Sequence, residues 1–513
     1  MSRKTEKMYN GITNIDDALI EKAQDNAENS RKTKKWLPWA GVAAAACVGL
    51  AIGIPAVINA NRTRSIPNST ADTSETAEIT PPNGQSAAVL AKMIASPTYP
   101  EMAQYPTEDL LEELGSWDEY DKIYDEWSDK VWGLRQQPEG YTDGTDKFFT
   151  ESIKLLLSDN SSQNRVYSPI SLFMALSMSA EITEGNTRQQ ILDLLGQDSI
   201  ESLRSHANSI WQANYVDDGM AKCVLANSIW LNSNISYSQE AMNRLAIDYY
   251  SSSFVGEPGT EEYDKLLQGW LNEQTEGMLE DYVSDIKLDP QTVIALASTV
   301  DYAGKWNGRF NKDNTESGTF HSPDGDITCD FMNKSTDMNY WWFDKFGAIA
   351  MGLENNGAMR IILPDEGITP EELLNDEITM DFLMEKNLWS AYDHKYVDVT
   401  LSVPKFDVSS SVELSEQLKM LGITDAFDAG ISDFSPLTDG ASDGIAISDV
   451  THAARVQIDE EGCRASALTV MSYDGAAMPD GHVDFILDRP FIFEIMSETG
   501  LPLFVGIVNN PVE

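Results

Sequence analysis

Along the chain the apolar positions change period several times, and each change marks an element. From Leu37 to Asn59 they run for 23 residues without a charge, in Ala, Val, Ile and Gly. That length suffices for a helix across a bilayer. Residues 60–86 then turn to Ser, Thr, Asn, Pro and acid without one aromatic residue, too polar to bury a core, so they read as a tether. Past Val89 periodicity begins. Trp117, Tyr120, Tyr124, Trp127 and Val131 recur at three-four spacing after Ser116 and Glu119, a capping box opening an amphipathic helix. Its aromatic stripe predicts docking on the main domain, with a partner-binding helix as the alternative. Phe149, Ile153 and Leu156 mark the next helix. Ser168-Pro169 then has the grammar of a helix start, an N-cap followed by a proline whose missing N–H costs nothing there. Cys223 to Leu231 alternates as a strand, and Thr292 to Val300 is β-rich.

The last change of period organises the rest. Alternation through Val456 and Ile458 passes Glu460-Glu461-Gly462 into small, unbranched residues, reads as ordinary loop only after Asp474-Gly475, and resumes strand character at Val483. Loops this long inside a compact domain are uncommon and usually functional. If the segment is extended, Cys463, Ala465, Ala467 and Thr469 share one face, and Arg464 falls on the other. The first half of the loop is thus written as a strand small enough to be buried. A plain Gly-Ala-Ser linker has the same composition.

The chain has 513 residues and a formal charge of −46. That charge favours solubility and excludes nucleic acid as a partner, which needs basic patches. Cys47, Cys223, Cys329 and Cys463 are widely spaced, so no zinc site or disulfide framework is indicated. Residues 1–36 carry eight Lys/Arg and six Asp/Glu and end in a basic cluster, Arg31 to Lys35. Positive charge before the apolar run keeps the tail, 1–36, in the cytoplasm and exports the remainder. A cleaved signal peptide, giving a secreted protein, is the rival reading. The run is long for one and lacks a small-x-small site before polar sequence. Only five histidines occur, and no H-E-x-x-H, G-x-S-x-G or P-loop motif. The dispersed acids form a solvated surface rather than a glycosidase pair.

Ordered motifs carry a resemblance. Glu460-Glu461-Gly462-Cys463-Arg464-Ala465-Ser466-Ala467-Leu468-Thr469 resembles the hinge of the serpins, serine protease inhibitors. It departs at Cys463 and Arg464, where that family usually has Thr and Glu. Asn164 to Ser171 is similar to N-x-x-x-S-P-x-S. Glu184 to Thr187 resembles G-N-T, with Asn186 or Thr187 expected to cap a helix through Leu195 that Gly196 ends. Trp270 to Gly277 is similar to the helix that crosses the sheet, and Tyr302 to Trp306 to x-x-G-x-W. Val403 to Phe406, Leu421 to Phe427, Pro490-Phe491 and Pro502 to Gly506 match further family motifs in order. The aromatic, acidic segment 87–144 is similar to extensions of serpins from gut Gram-positive bacteria.

The resemblance implies an α+β serpin fold over 145–513, with about nine helices around three β-sheets and an exposed reactive-centre loop, preceded by a transmembrane helix, 37–59, and the tether. It places Ser168, Ser171, Ser298 and His452 in the shutter beneath the central sheet. Ser298 stands where Asn is usual, so a rearranged shutter network is expected. Trp306 falls in the breach, where the loop first enters. Counting along the hinge from Glu460 puts the scissile bond at Ala476–Ala477, within the window Tyr473 to Pro479. No Lys or Arg lies in that window, so elastase-like or subtilisin-like serine proteases are the expected targets. The implied activity is suicide inhibition, not enzymatic catalysis, by a monomer needing no cofactor or metal. A non-inhibitory serpin, an inhibitor of cysteine proteases and a tethered sugar-binding module are the alternatives. Loop insertion in that family is an established instance of strand addition with release of stored strain.

Overall fold

The three-four runs form helices and the alternating runs strands in a computed structural model that describes residues 92–158, 162–354, 357–438, 444–463 and 479–512. All of these lie within one compact unit, Glu78–Glu513. The tail, the expected membrane span 37–59, the tether 60–86 and the loop segment 464–478 lie outside the described residues. Among the described residues no helix is long and apolar enough to cross a membrane.

Among the described residues, eight helices of seven or more residues precede Ile294: α1 (Glu108–Leu114), α2 (Trp117–Arg135), α3 (Thr145–Leu157), α4 (Pro169–Glu181), α5 (Gly185–Leu194), α6 (Ile200–Asn214), α7 (Gln239–Asp248) and α8 (Glu261–Gln274). The Ser168 hydroxyl accepts from the Ser171 N–H, and Pro169 takes the first turn of α4. Every residue of α4 is buried, as befits a core helix that is apolar all round. In α5 the expected cap is corrected. Glu184 is the N-cap residue, while Asn186 donates to Asp425 Oδ2 at 2.6 Å and the Thr187 hydroxyl accepts from the Asp433 N–H at 3.0 Å. Both side chains tie the helix to a distant loop instead. Gly196 does end that segment, at φ +67°.

The central sheet contains β1 (Met93–Ala95), β2 (Lys222–Asn232), β3 (Ser251–Gly256), β4 (Ile294–Lys305), β5 (Phe406–Glu413), β6 (Ile447–Ile458) and β7 (Gly462–Cys463). Their spatial order is β1-β3-β2-β4-β7-β6-β5, with Val216–Asp217 also pairing on β2. Strands β2 and β4 are buried on both faces. One face packs on the large core that includes α4, and the other carries Trp230, Ala295, Ala297 and Ala453 against Tyr263, Leu267 and Trp270 of α8. Strands covered on both faces read as nearly continuous apolar runs, which is how β4 reads.

A second sheet of nine strands runs from His482–Ile486 through His394–Pro404 and Gly325–Trp342 to Pro502–Val508 and Arg165–Tyr167. Among the described residues there are therefore two sheets, not three. Gly325–Trp342 is 18 residues long and pairs with Glu316–Ser322 near one end and Phe346–Gly352 at the other, which joins what were expected as separate sheets. Among the described residues from Thr145 onward there are eleven α-helices instead of about nine, four of them (Glu280–Val283, Pro370–Leu374, Leu388–Ala391, Ser415–Met420) of only four to six residues.

The segment before Thr145 lies along one flank. β1 extends the sheet edge through Met93↔Phe254 and Ala95↔Ser253. Tyr99 packs 5.1 Å from the Trp211 ring, and Trp127 donates its indole N–H to Asp218 Oδ2 at 3.0 Å. In α2 the Ser116 hydroxyl accepts from the Glu119 N–H and Val131 is buried, whereas Trp117 at the other end of the stripe is 67% exposed.

Candidate functional site

The chain leaves β6 at Ile458 and turns back on itself within four residues. The Asp459 carboxylate holds that turn by accepting from the N–H groups of Glu461 and Gly462, at 2.8 and 3.3 Å. The returning strand, β7, then lies between two others. Gly462 and Cys463 pair antiparallel with Lys305 and Gly304 of β4, and Cys463 also pairs with Ile458 of β6. Gly462 has φ +152°, and a Cβ there would stand 2.4 Å from the Gly304 carbonyl oxygen and 2.7 Å from Lys305 Cα. Only glycine lets the backbone pass so close.

Trp306 lies directly beneath this turn, 1% exposed. Its indole N–H donates to the Asp459 carbonyl at 2.9 Å, and its backbone N–H to that of Glu461 at 3.0 Å. The two hinge glutamates are held by different partners. Glu460 is buried, accepts from the Thr315 hydroxyl at 2.8 Å and pairs with Lys405 Nζ at 3.1 Å. Burial alone would raise its pKa, but the backbone, Thr315 and Lys405 together hold it below the usual carboxylate value. Glu461 pairs with Arg309 at 3.1 Å and Lys312 at 3.2 Å, and Arg309 also reaches Glu354 at 3.3 Å. Sequence reasoning missed Lys405, Thr315, Arg309 and Glu354. Lys405 stood inside a matched motif, but its partner is 55 positions away, and no local period shows that pairing.

Below β7 the sheet closes. β6 pairs parallel with β4 from Ile447↔Ile294 to His452↔Ser298. Between that ladder and β7 the flanks are splayed around a cavity of ≈ 20 Å³ lined by Thr299 to Tyr302 of β4 and Arg455 to Gln457 of β6, room for about one water.

The residues expected in the shutter all lie at the closed part, where Ser168, Ser171 and His452 are linked and the Ser298 side chain turns elsewhere. The Ser168 backbone N–H donates to His452 Nε2 at 3.1 Å, and the Ser168 hydroxyl donates to the Ser171 hydroxyl at 3.1 Å. His452 therefore has a bare Nε2, and its burial pulls its pKa down from 6.5 to about 4. The Tyr167 ring stands edge-on to it at 5.3 Å. Ser298 is the backbone partner of His452 in the ladder, yet its hydroxyl donates the other way, to Asn227 Oδ1 on β2, at 2.8 Å. Asn227 in turn donates to the Tyr249 carbonyl at 3.0 Å. Asn227 thus takes up the Ser298 hydroxyl, and among the hydrogen bonds of the described residues this pair stands apart from the Ser168–Ser171–His452 set. Its place opposite Ser298 follows from strand register, which the sequence alone did not fix.

Of the expected hinge, Glu460, Glu461, Gly462 and the Cys463 backbone are described. Arg464, Ala465, Ser466, Ala467, Leu468 and Thr469, and the bond Ala476–Ala477, lie outside the described residues. Cys223 and Cys329 are buried free thiols, and burial pushes the Cys223 thiol up to about 12.

Comparison with known proteins agrees with this geometry. Residues 143–511 match the family model described as Serpin (serine protease inhibitor). Serpin-ZX of Arabidopsis thaliana is 26% identical over 373 residues, covering 69% of this chain and 94% of that protein. Alpha-1-antiproteinase of Rattus norvegicus is 28% identical over 367 residues, covering 69% of this chain and 85% of that protein. Among solved structures, the thermophilic serpin tengpin in its native state superposes with a TM-score of 0.64 at 27% identity, over 73% of this chain and 95% of that one.

Proposed function

The chain belongs to the serpin family, and from that premise we propose that it inhibits serine proteases as a suicide substrate, through insertion of its cleaved loop between β4 and β6. Serpins are generally protease inhibitors rather than enzymes. The observation that carries the mechanism is β7. Two residues of the hinge already occupy the position of an extra strand, above flanks that are splayed for only a short distance.

A protease takes the loop as a substrate. Its serine oxygen bonds to the Ala476 carbonyl carbon, the Ala476–Ala477 C–N bond breaks, and the freed amine of Ala477 leaves with the serine's proton, delivered by the enzyme's base. The ester that remains is the acyl-enzyme. The segment running back to Gly462 is then free to extend β7 downward. Insertion of about 15 residues carries the bound protease roughly 50 Å at strand rise, distorting its site before water can deacylate it. Small inward side chains at Cys463, Ala465, Ala467 and Thr469 suit rapid entry.

Elastase-like or subtilisin-like enzymes fit a cut beside Ala476. Residues 37–59 anchor the protein in a bacterial cell membrane, with the inhibitory domain held outside on the tether. The test is incubation with pancreatic elastase and with subtilisin, followed by a denaturing gel and mass spectrometry. An SDS-resistant complex and a C-terminal fragment beginning at Ala477 are expected. Complete turnover of the chain by both enzymes without a complex overturns the proposal.

A further inference from the structure

The segment that follows α8 passes over the splayed part of the central sheet. Thr275, Met278 and Leu279 line the same ≈ 20 Å³ cavity as Thr299 to Tyr302 and Arg455 to Gln457. It is fastened on both sides. On the β2–β4 side Lys222 Nζ bridges Glu276 at 2.5 Å and the buried Asp301 carboxylate of β4 at 2.7 Å. On the β6 side the Arg455 guanidinium donates to the Met278 carbonyl while forming a two-pronged pair with Asp407 of β5 at 2.7 and 2.6 Å. The two fastenings are two residues apart along the strap, Glu276 and Met278, and they hold opposite flanks of one gap.

We propose that residues 275–279 are a latch, and that Arg455 and Glu276 are positioning residues which set how fast a strand enters between β4 and β6. The inference rests on the insertion mechanism above. Extending β7 in its present register brings the strand opposite Asp301 three residues past Cys463, directly beneath the strap. To pass further, it must part His452 from Ser298 and the pairs below them by about 4.8 Å, the spacing of one added strand. A hydrogen bond is lost over that distance. One fastening must therefore break each time a strand enters, while the other keeps the strap attached to one flank. The buried Asp301–Lys222 contact makes Glu276 the weaker partner on its side, since the Glu276 side chain is 55% exposed.

The two residues are separable from general packing. Asp407→Asn removes the strand–strand pair of Arg455 but leaves the Met278 carbonyl bonded, whereas Arg455→Gln removes both. Glu276→Gln removes a charge on a side chain that is 55% exposed, so it should fold even if Arg455→Gln does not. Uptake of a synthetic peptide with the sequence of residues 463–475 into the intact full-length protein is measured on native gels in urea, alongside SDS-resistant complex formation with elastase. Peptide uptake by Glu276→Gln and Arg455→Gln is expected to rise about two- to fivefold, the effect of one partly exposed ion pair or hydrogen bond. Asp407→Asn should stay near the wild-type rate. If wild type takes up peptide but neither variant exceeds Asp407→Asn, the latch is overturned and the inhibitory mechanism stands. If wild type forms a complex but neither it nor the two variants take up peptide, the latch is likewise overturned, and if wild type takes up no peptide and forms no complex, the mechanism itself is overturned.

Discussion

Ser298 and Asn227 are backbone partners on β4 and β2, and the serine hydroxyl donates to the asparagine Oδ1 at 2.8 Å inside the closed part of the central sheet. This bond ties β4 to β2, on the side away from the β4–β6 ladder that the proposed insertion would part. His452 is held instead from below by the Ser168 N–H. The opening edge is therefore free of side-chain hydrogen bonds between Ser298 and His452 in the contacts described. Ser298→Ala leaves a buried carbonyl oxygen without this donor, a loss of about 1–3 kcal/mol. Denaturant unfolding of the intact protein checks it, and an unchanged midpoint would contradict the role given to the pair.

The hinge predicts two different failures. Gly462→Val meets the Gly304 carbonyl and Lys305 backbone, so β7 is expelled. Hydrogen exchange at the Gly462 and Cys463 amides should then quicken while the rest of the sheet is unaffected. Cys463→Glu places a charge in the segment that the proposed insertion buries, and the expected outcome is a substrate in place of an inhibitor. Stable covalent complexes formed by Cys463→Glu would refute the facing assigned to that position.

Lys405 is about half exposed, but its partner Glu460 is buried. Lys405→Glu sets a second carboxylate against the first and leaves Glu460 its backbone and Thr315 hydrogen bonds without a counter-charge. A destabilisation of about 1–3 kcal/mol is expected, lower than for a fully buried pair because solvent reaches the lysine. The charge-swapped double variant, Lys405→Glu with Glu460→Lys, should recover part of the loss. No recovery would show that the contact matters only for packing.

His452 makes stability depend on acid. Its folded pKa is depressed from 6.5 to about 4 by burial. Above 6.5 neither folded nor unfolded chain protonates it, and the contribution is flat. As pH falls from 6.5 towards 4 the unfolded chain takes up a proton that the folded chain refuses, so stability is lost across that window, by roughly 3 kcal/mol in all. Protonation also removes the lone pair that accepts from Ser168. His452→Gln should flatten this part of the profile, and an unchanged pH dependence in that variant would rule out His452 as its source.

Part of the candidate site was legible because the residues concerned are close in sequence. The Ser168 cap, the Pro169 start and the Trp306 position each follow from neighbours in sequence, whereas the run of small residues after Cys463 lies outside the described residues. The parts that were not legible depend on register and distance. Asn227 bonds Ser298 only because β2 and β4 align the two. Lys405, just before β5, reaches Glu460, just past the end of the neighbouring β6, and Arg455 reaches the Met278 carbonyl from a position 177 residues on. The caps expected at Asn186 and Thr187 failed for a related reason. Both side chains had a better partner in a loop that only the folded chain brings near, and tertiary contacts outweighed the local preference.

The central claim is that the intact fold is held short of its most stable arrangement, with a strand's place begun by Gly462 and Cys463. Thermal unfolding of intact chain and of chain cleaved by elastase in the loop, followed under identical buffer conditions, tests it most directly. A cleaved form that melts well above the intact one is the required result. A cleaved form that melts at or below the intact temperature would contradict it.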